Sequence, residues 1–359
     1  WISELLPEIA THADDLCMLH GMHTDLPNHP QAQTMMHTGS SQFVRPSIGA
    51  WTLYGLGTNN ADLPGFVALG APNGNANHFG SSFLPAIFQG ARFSGDSRRP
   101  GGNNRFARRE QKPKIPNIAN PKLDRELQRA QLDYVQSLNK AKLDREKHAP
   151  GVEGVIESLE LGFRMQDTLP ELMDTTGESK ETLELYGIGS GSNDSFGKQC
   201  LLARRFAEAG VRFVELSHGN WDHHRNLTND LSSRCNEIDK SISGLLTDLK
   251  RRDMLKETLI VWAGEFGRTP HGQGGDGRDH NNKGYTTWMA GGGVKGGLGY
   301  GATDEHGYEA VEGKMHIHDW HATILHILGL DHEKLTYNHA GRDFRLTDVH
   351  GAVAKDILS

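Results

Sequence analysis

The run Thr-Leu-Ile-Val-Trp-Ala at 258–263 constrains the fold most. It shows no polar alternation, so as a strand it must be covered on both faces. An amphipathic segment, 228–252, precedes it, with Leu231, Cys235, Ile238, Ile242, Leu245 and Leu249 on one helical face. Helix followed by doubly covered strand is the rhythm of an α/β sheet, and it predicts a buried parallel strand flanked by helices. The rhythm extends both ways. Residues 195–209 read as a helix closed by Gly210, 211–216 and 285–290 as strands, and 319–328 as a helix capped by Asp319 and closed by Gly329. Near the start, 2–13 read as a short helix, 15–19 as a strand ending at His20-Gly21, and 28–37 as a helix stopped by Gly39.

The middle breaks this rhythm. Residues 55–121 are rich in Gly, Asn and Pro and read as surface loops, whereas 121–186 read as helices. Together, 90–186 is expected to be a loop and helical insertion in a single domain spanning 1–359. The insertion carries a basic stretch, Arg98, Arg99, Arg105, Arg108, Arg109, Lys112 and Lys114, which reads either as a solvated loop or as a groove for an anionic polymer. The net charge of −7 argues against a general nucleic-acid binder. No apolar run approaches the ~20 residues of a membrane span. Cys17, Cys200 and Cys235 lie among apolar neighbours and read as buried free thiols.

In parallel α/β sheets, ligands collect beyond the carboxyl ends of strands. Three groups of potential metal ligands lie beside predicted strands: Asp222, His223 and His224 after 211–216, Glu265 after 258–263, and Asp279-His280 before 285–290. Carboxylate and imidazole suit a divalent metal such as zinc or manganese. A fourth group, His20, His23, Thr24, Asp25, Asn28 and His29, ends at a predicted helix N-terminus, which favours an anion. Thr24, Asn28 and His29 are therefore candidates for catalysis, with helix capping as the plain alternative. His316 and His318 read as supporting groups and His321 as a surface residue. Gly291, Gly293 and Gly296 match GxGxxG, but no helix follows, so a dinucleotide site is excluded.

Several of these residues form a larger pattern. The run Thr258–Pro270, Trp-Asp-x-His at 221–224, Gly-Arg-Asp-His at 277–280 and Ala-Gly-Gly-Gly at 290–293 resemble a bacterial sulfatase-like family, domain of unknown function 1501, of the alkaline-phosphatase superfamily. The helix at 319–329 and the segment His23–His29 through Thr38-Gly39 resemble the closing helix and the nucleophile segment of sulfatases. The resemblance implies a mostly parallel central sheet sandwiched by helices. It implies a divalent metal, zinc, manganese or calcium, held by Asp222, His224, Glu265, Asp279 and His280. It also implies an earlier strand with a metal-binding Asp, expected to precede Trp1, and an extracytoplasmic location. The expected function is hydrolysis of phosphate or sulfate esters, polysaccharide esters among them. The alternative is a non-catalytic module that binds anionic polysaccharide. Formylglycine chemistry is not expected, because no cysteine has the required Cys-x-Pro/Ala-x-Arg context: Cys200 has Arg204, but Leu202 where Pro or Ala is needed.

Overall fold

The computed structural model describes residues 2–71, 76–93, 118, 120, 122–146, 149–189, 191 and 194–359. The basic stretch at 98–114 lies outside them. Helix α1 is only Pro7–Ala10, opened by Pro7. Strand β1, Leu16–His23, leads into helix α2, His29–Thr38, which Gly39 closes at φ 66°. Helix α3, Ile48–Leu56, and strands β2, Phe66–Leu69, and β3, Ala91–Phe93, follow. Helices α4, Arg125–Glu146, and α5, Pro150–Met173, form a hairpin joined by Arg129–Glu160 and Gln136–Ile156 contacts. Then come α6, Lys180–Leu185, α7, Asp194–Glu208, β4, Phe213–Leu216, α8, Leu227–Arg251, and β5, Ile260–Trp262.

The last third is strand-rich. Strands β6, Gly267–Gln273, and β7, Gly277–Asn281, form a hairpin that leads to β8, Tyr285–Ala290. The short strands β9 (Leu298–Tyr300), β10 (Ala302–Thr303), β11 (Ala310–Glu312) and β12 (Met315–His316) precede helix α9, Ile317–Ile327. A hairpin of β13, Tyr337–His339, and β14, Arg342–Phe344, closes the list of elements.

The protein is a mixed α/β structure, and its sheets are mostly not parallel. The main sheet runs β12-β1-β8-β5, with β9 also on β1. Strand β8 is antiparallel to both neighbours, which corrects the expected mostly parallel sheet. The connection explains it. Chain leaving β5 turns through the β6–β7 hairpin and enters β8 with no crossover helix, and such a return produces an antiparallel pair. A second sheet, β3-β2-β4, is wholly parallel.

Strand β5 also differs from expectation. Among the described residues it pairs with β8 alone, and Ile260, Val261 and Trp262 are half-buried. Among these residues strand β4 likewise pairs only with β2, and all four of its residues are half-buried. The two free edges border the same cores. Phe213 shares one cluster with Leu259, Val261 and Ala263, and Leu216 shares another with Ile260 and Trp262.

Further corrections are local. Asp319 is not the N-cap of α9; His316 is, and Asp319 completes a capping box from N3. His321 is fully buried rather than on the surface, with Nε2 bonded to Met36 O at 2.6 Å. Strands β2 and β3 lie within the segment read as loop. Helix α3 escapes a periodicity search because six of its nine residues are buried, leaving no polar face. Cys17, Cys200 and Cys235 are buried free thiols as expected.

Candidate metal centre

Three structural units converge at one end of the main sheet. The loop after β1 delivers His29 as the first residue of α2, where Pro30 pre-sets the helical backbone. The loop after β4 delivers Asp222 and His224. The β6–β7 hairpin delivers Arg268 and His280, which are cross-strand partners and so stand side by side. The hairpin is fastened to the 222–226 loop by Arg278 N–H donating to His223 O at 3.0 Å. A Cβ on Gly277 would lie 2.1 Å from the His224 carbonyl carbon, so only glycine permits this approach.

Asp222 Oδ1 is the hub. His224 Nε2 lies 2.9 Å from it, His280 Nε2 3.1 Å and His29 Nε2 3.3 Å. The Arg268 guanidinium is 2.7 Å from the same oxygen. Four nitrogens are more than one carboxylate oxygen can accept along its lone pairs. His224 Nε2 and His280 Nε2 are themselves 3.1 Å apart. Ligand atoms, one each from His29, Asp222 and His280, all lie within 4.8 Å of one another. The edge of a tetrahedral zinc site with ~2.0–2.1 Å bonds to nitrogen is about 3.3 Å, close to these separations.

The other ring nitrogens settle the tautomers. His29 Nδ1 meets the Glu265 carboxylate at 2.6 Å. His280 Nδ1 meets the Pro27 carbonyl at 2.7 Å, and His224 Nδ1 meets Gln273 Oε1. None of these oxygens can donate, so each Nδ1 carries a proton, and Nε2 is the ring atom left to face Asp222 and to serve as a ligand when unprotonated. His29 Nε2 is buried and, despite lying 3.3 Å from Asp222 Oδ1, makes no well-directed hydrogen bond among the described residues. Three such nitrogens, when unprotonated, around a carboxylate are a poor hydrogen-bond network and a good cation-binding set. Oxygen acceptors behind the imidazoles are the usual second layer of a histidine–metal site. Partial burial opposes ionisation of Asp222, but the Arg268 hydrogen bond and charge outweigh it and hold the carboxyl far below its usual range.

The remaining candidates lie around this centre. Glu265 stands behind His29, where Gln33 Nε2 also reaches it at 3.3 Å. Asp279 caps its own neighbour, accepting from His280 N–H at 2.8 Å. Thr24 is 5% exposed, and its backbone is held at both ends by Asn282. Asn28 is the N-cap of α2, yet its side chain makes no capping bond. Arg268 and Gln273 were not singled out by sequence reasoning. Arg268 could have been, because it stands three residues after Glu265 in the same motif.

A second group of histidines lies nearby. His316 Nδ1 accepts from His318 N–H, so its Nε2–H donates to Asp25 at 3.1 Å. Ring contacts continue from His316 to His23 and to His318, and from His318 to His350. Their ligand atoms do not converge as those around Asp222 do; among the described residues only His29, Asp222 and His280 form such a group. His37 pairs with Glu215 at 3.3 Å and stacks on His78 with ring centroids 4.1 Å apart.

No curated protein matches the chain. A family model does, over residues 1–358, and the chain accordingly belongs to the family described as a protein of unknown function, DUF1501.

Proposed function

We propose that this protein is a metal-dependent hydrolase of phosphate or sulfate esters, of the sulfatase-like branch of the alkaline-phosphatase superfamily. One observation carries the reading: three histidines with oxygen-anchored Nδ1 atoms aim their Nε2 atoms at Asp222. Three imidazoles and a carboxylate suit zinc or a similar transition metal better than calcium, which takes oxygen ligands. His29, Asp222, His224 and His280 would hold the ion, with Glu265, Pro27 and Gln273 orienting the rings. When bound, such an ion polarises the ester oxygen and makes water a better nucleophile.

The chain's own groups divide the remaining work. Arg268 supplies fixed positive charge for the anionic ester. His29 belongs with the donor set in this reading, and Thr24 lies outside it, which leaves water as the attacking group. The cysteines take no part, because all three are buried in the fold. An extracytoplasmic location rests on the motif resemblance alone.

Elemental analysis of wild type and an Asp222→Ala/His280→Ala double variant tests the centre. Stoichiometric zinc in wild type and none in the variant is expected. Equal metal in both removes the site. Turnover of nitrophenyl phosphate and nitrophenyl sulfate by the zinc-loaded protein tests the reaction, and absence of both refutes hydrolysis while leaving the metal site standing.

A further inference from the structure

Helix α4, Arg125–Glu146, is 22 residues long, yet among the described residues Gln136 is the one it buries. None of its residues joins the four apolar clusters of the core. Contacts with α5 fix which way it faces. Arg125 donates to Phe163 O at 2.9 Å, Arg129 pairs with Glu160 at 2.9 Å, and Gln136 donates to Ile156 O at 2.8 Å. At 3.6 residues per turn these three share one side of the helix with half-buried Leu132 and Leu143. That side is the one turned to α5.

A helix that met only water on its opposite side would be polar there. This one carries Leu127, Ala130, Tyr134, Leu138 and Ala141, all exposed, with Gln131 at the margin. Leu127 is 55% exposed, Tyr134 67% and Leu138 54%. Single exposed leucines are ordinary, but a continuous seam marks a contact surface. Its intervals are three, four, four and three residues, the spacing of a helix–helix seam, and they read the same in both directions from Tyr134. The same helix running antiparallel therefore presents the matching seam. Residues equally far before and after Tyr134 would face one another. Leu127 would meet Ala141 and Ala130 would meet Leu138, so each large side chain lies over a small one, with Tyr134 over its own copy. On one flank Asp124 lies ten residues before Tyr134 and Lys142 eight after, which brings opposite charges within a turn of each other at both ends. A parallel pairing would instead set Asp124 on Asp124 and Lys142 on Lys142. Such charge matching selects orientation more than affinity.

From this self-complementary seam, we propose that a second copy of this chain docks on α4, antiparallel, about a twofold axis at Tyr134. The contact uses the same patch on both copies, so it closes at a dimer. One helix per copy is a small interface, and association on the order of micromolar is expected. The proposal does not rest on the metal centre.

Sedimentation velocity of the whole chain from about 1 to about 200 µM, which brackets that affinity, tests it. A reversible dimer is expected. Tyr134→Glu and Leu138→Glu change exposed side chains and leave the α5 contacts intact, and each should raise the dissociation constant at least tenfold. Cysteine cross-linking reads the direction. Under copper–phenanthroline, Leu127→Cys chains mixed with Ala141→Cys chains should link to each other, and neither should link to itself. A wild type that stays monomeric at the highest concentration overturns the proposal, as does a dimer untouched by both glutamate variants. Leu127→Cys chains that link mainly to themselves refute the antiparallel seam. Monomers that bind phosphatidylglycerol vesicles through Tyr134 and Leu138 would give the seam to a lipid surface instead.

Discussion

Glu265 is the most informative position to perturb. The sequence reading placed it among the ligands, but the fold stands it behind His29, with Oε1 2.6 Å from Nδ1. Glu265→Gln preserves shape and leaves an oxygen to accept from that ring. It removes the negative charge that makes His29 a stronger donor. Loss of an outer partner of this kind costs about 10–100-fold in metal affinity. At about 1.4 kcal/mol per decade, that is about 1.4–2.7 kcal/mol. Competition against a chromophoric zinc chelator at pH 7.5 reads it directly. His29→Ala serves as the comparison and should lose more, because it removes a donor atom. Two outcomes refute the reasoning. Unchanged zinc affinity in Glu265→Gln means the carboxylate does not tune the ring. A loss as large as that of His29→Ala makes Glu265 a direct ligand.

Other predictions follow from the same packing. Burial pulls the His37 imidazole down, but the Glu215 charge and hydrogen bond, with the Gln33 carbonyl, outweigh it and raise its pKa. A raised folded pKa gives stability that is full below the unfolded value, about 6.5, and lost as pH rises through the folded one. Urea midpoints should fall over that window in wild type, and the fall should be smaller in His37→Gln. Gly277→Ala forces a methyl into the His224 carbonyl and should cost about 1–3 kcal/mol, with weaker zinc binding, by calorimetry and chelator competition. Burial pushes the Cys17 thiol up to about 11 and raises those of Cys200 and Cys235. All three should resist alkylation in the native state, and ester hydrolysis should survive their replacement by alanine. An aldehyde at any of them by mass spectrometry would contradict this.

The sequence was most legible where one residue type does one physical job. Apolar periodicity located α8, and Gly39 marked the end of α2 because only a left-handed residue closes that turn. Strand direction was not legible. An apolar run reveals two covered faces but not whether its neighbour runs with or against it, and β8 reverses because the β6–β7 hairpin is short of a crossover. Asp222, His224 and His280, singled out from their places beside strands, come together in space. The contact of Glu265 with His29 was not legible, since ligand and orienting partner are both carboxylates at strand ends and only distance separates them. Gln273 was hidden for a different reason: an uncharged amide carries no signal until the hairpin brings it to His224.

The two free strand edges have a mechanical consequence. The loop carrying Asp222 and His224 springs from the end of β4, and Glu265 follows the end of β5. These are the same two strands that each pair on one side only among the described residues. No hydrogen-bonded ladder fixes one against the other, so their separation is set by side-chain packing, which tolerates sliding better than a ladder does. The spacing of the two loops at their bases is therefore a property of the Phe213, Leu216, Val261 and Trp262 side chains rather than of the backbone.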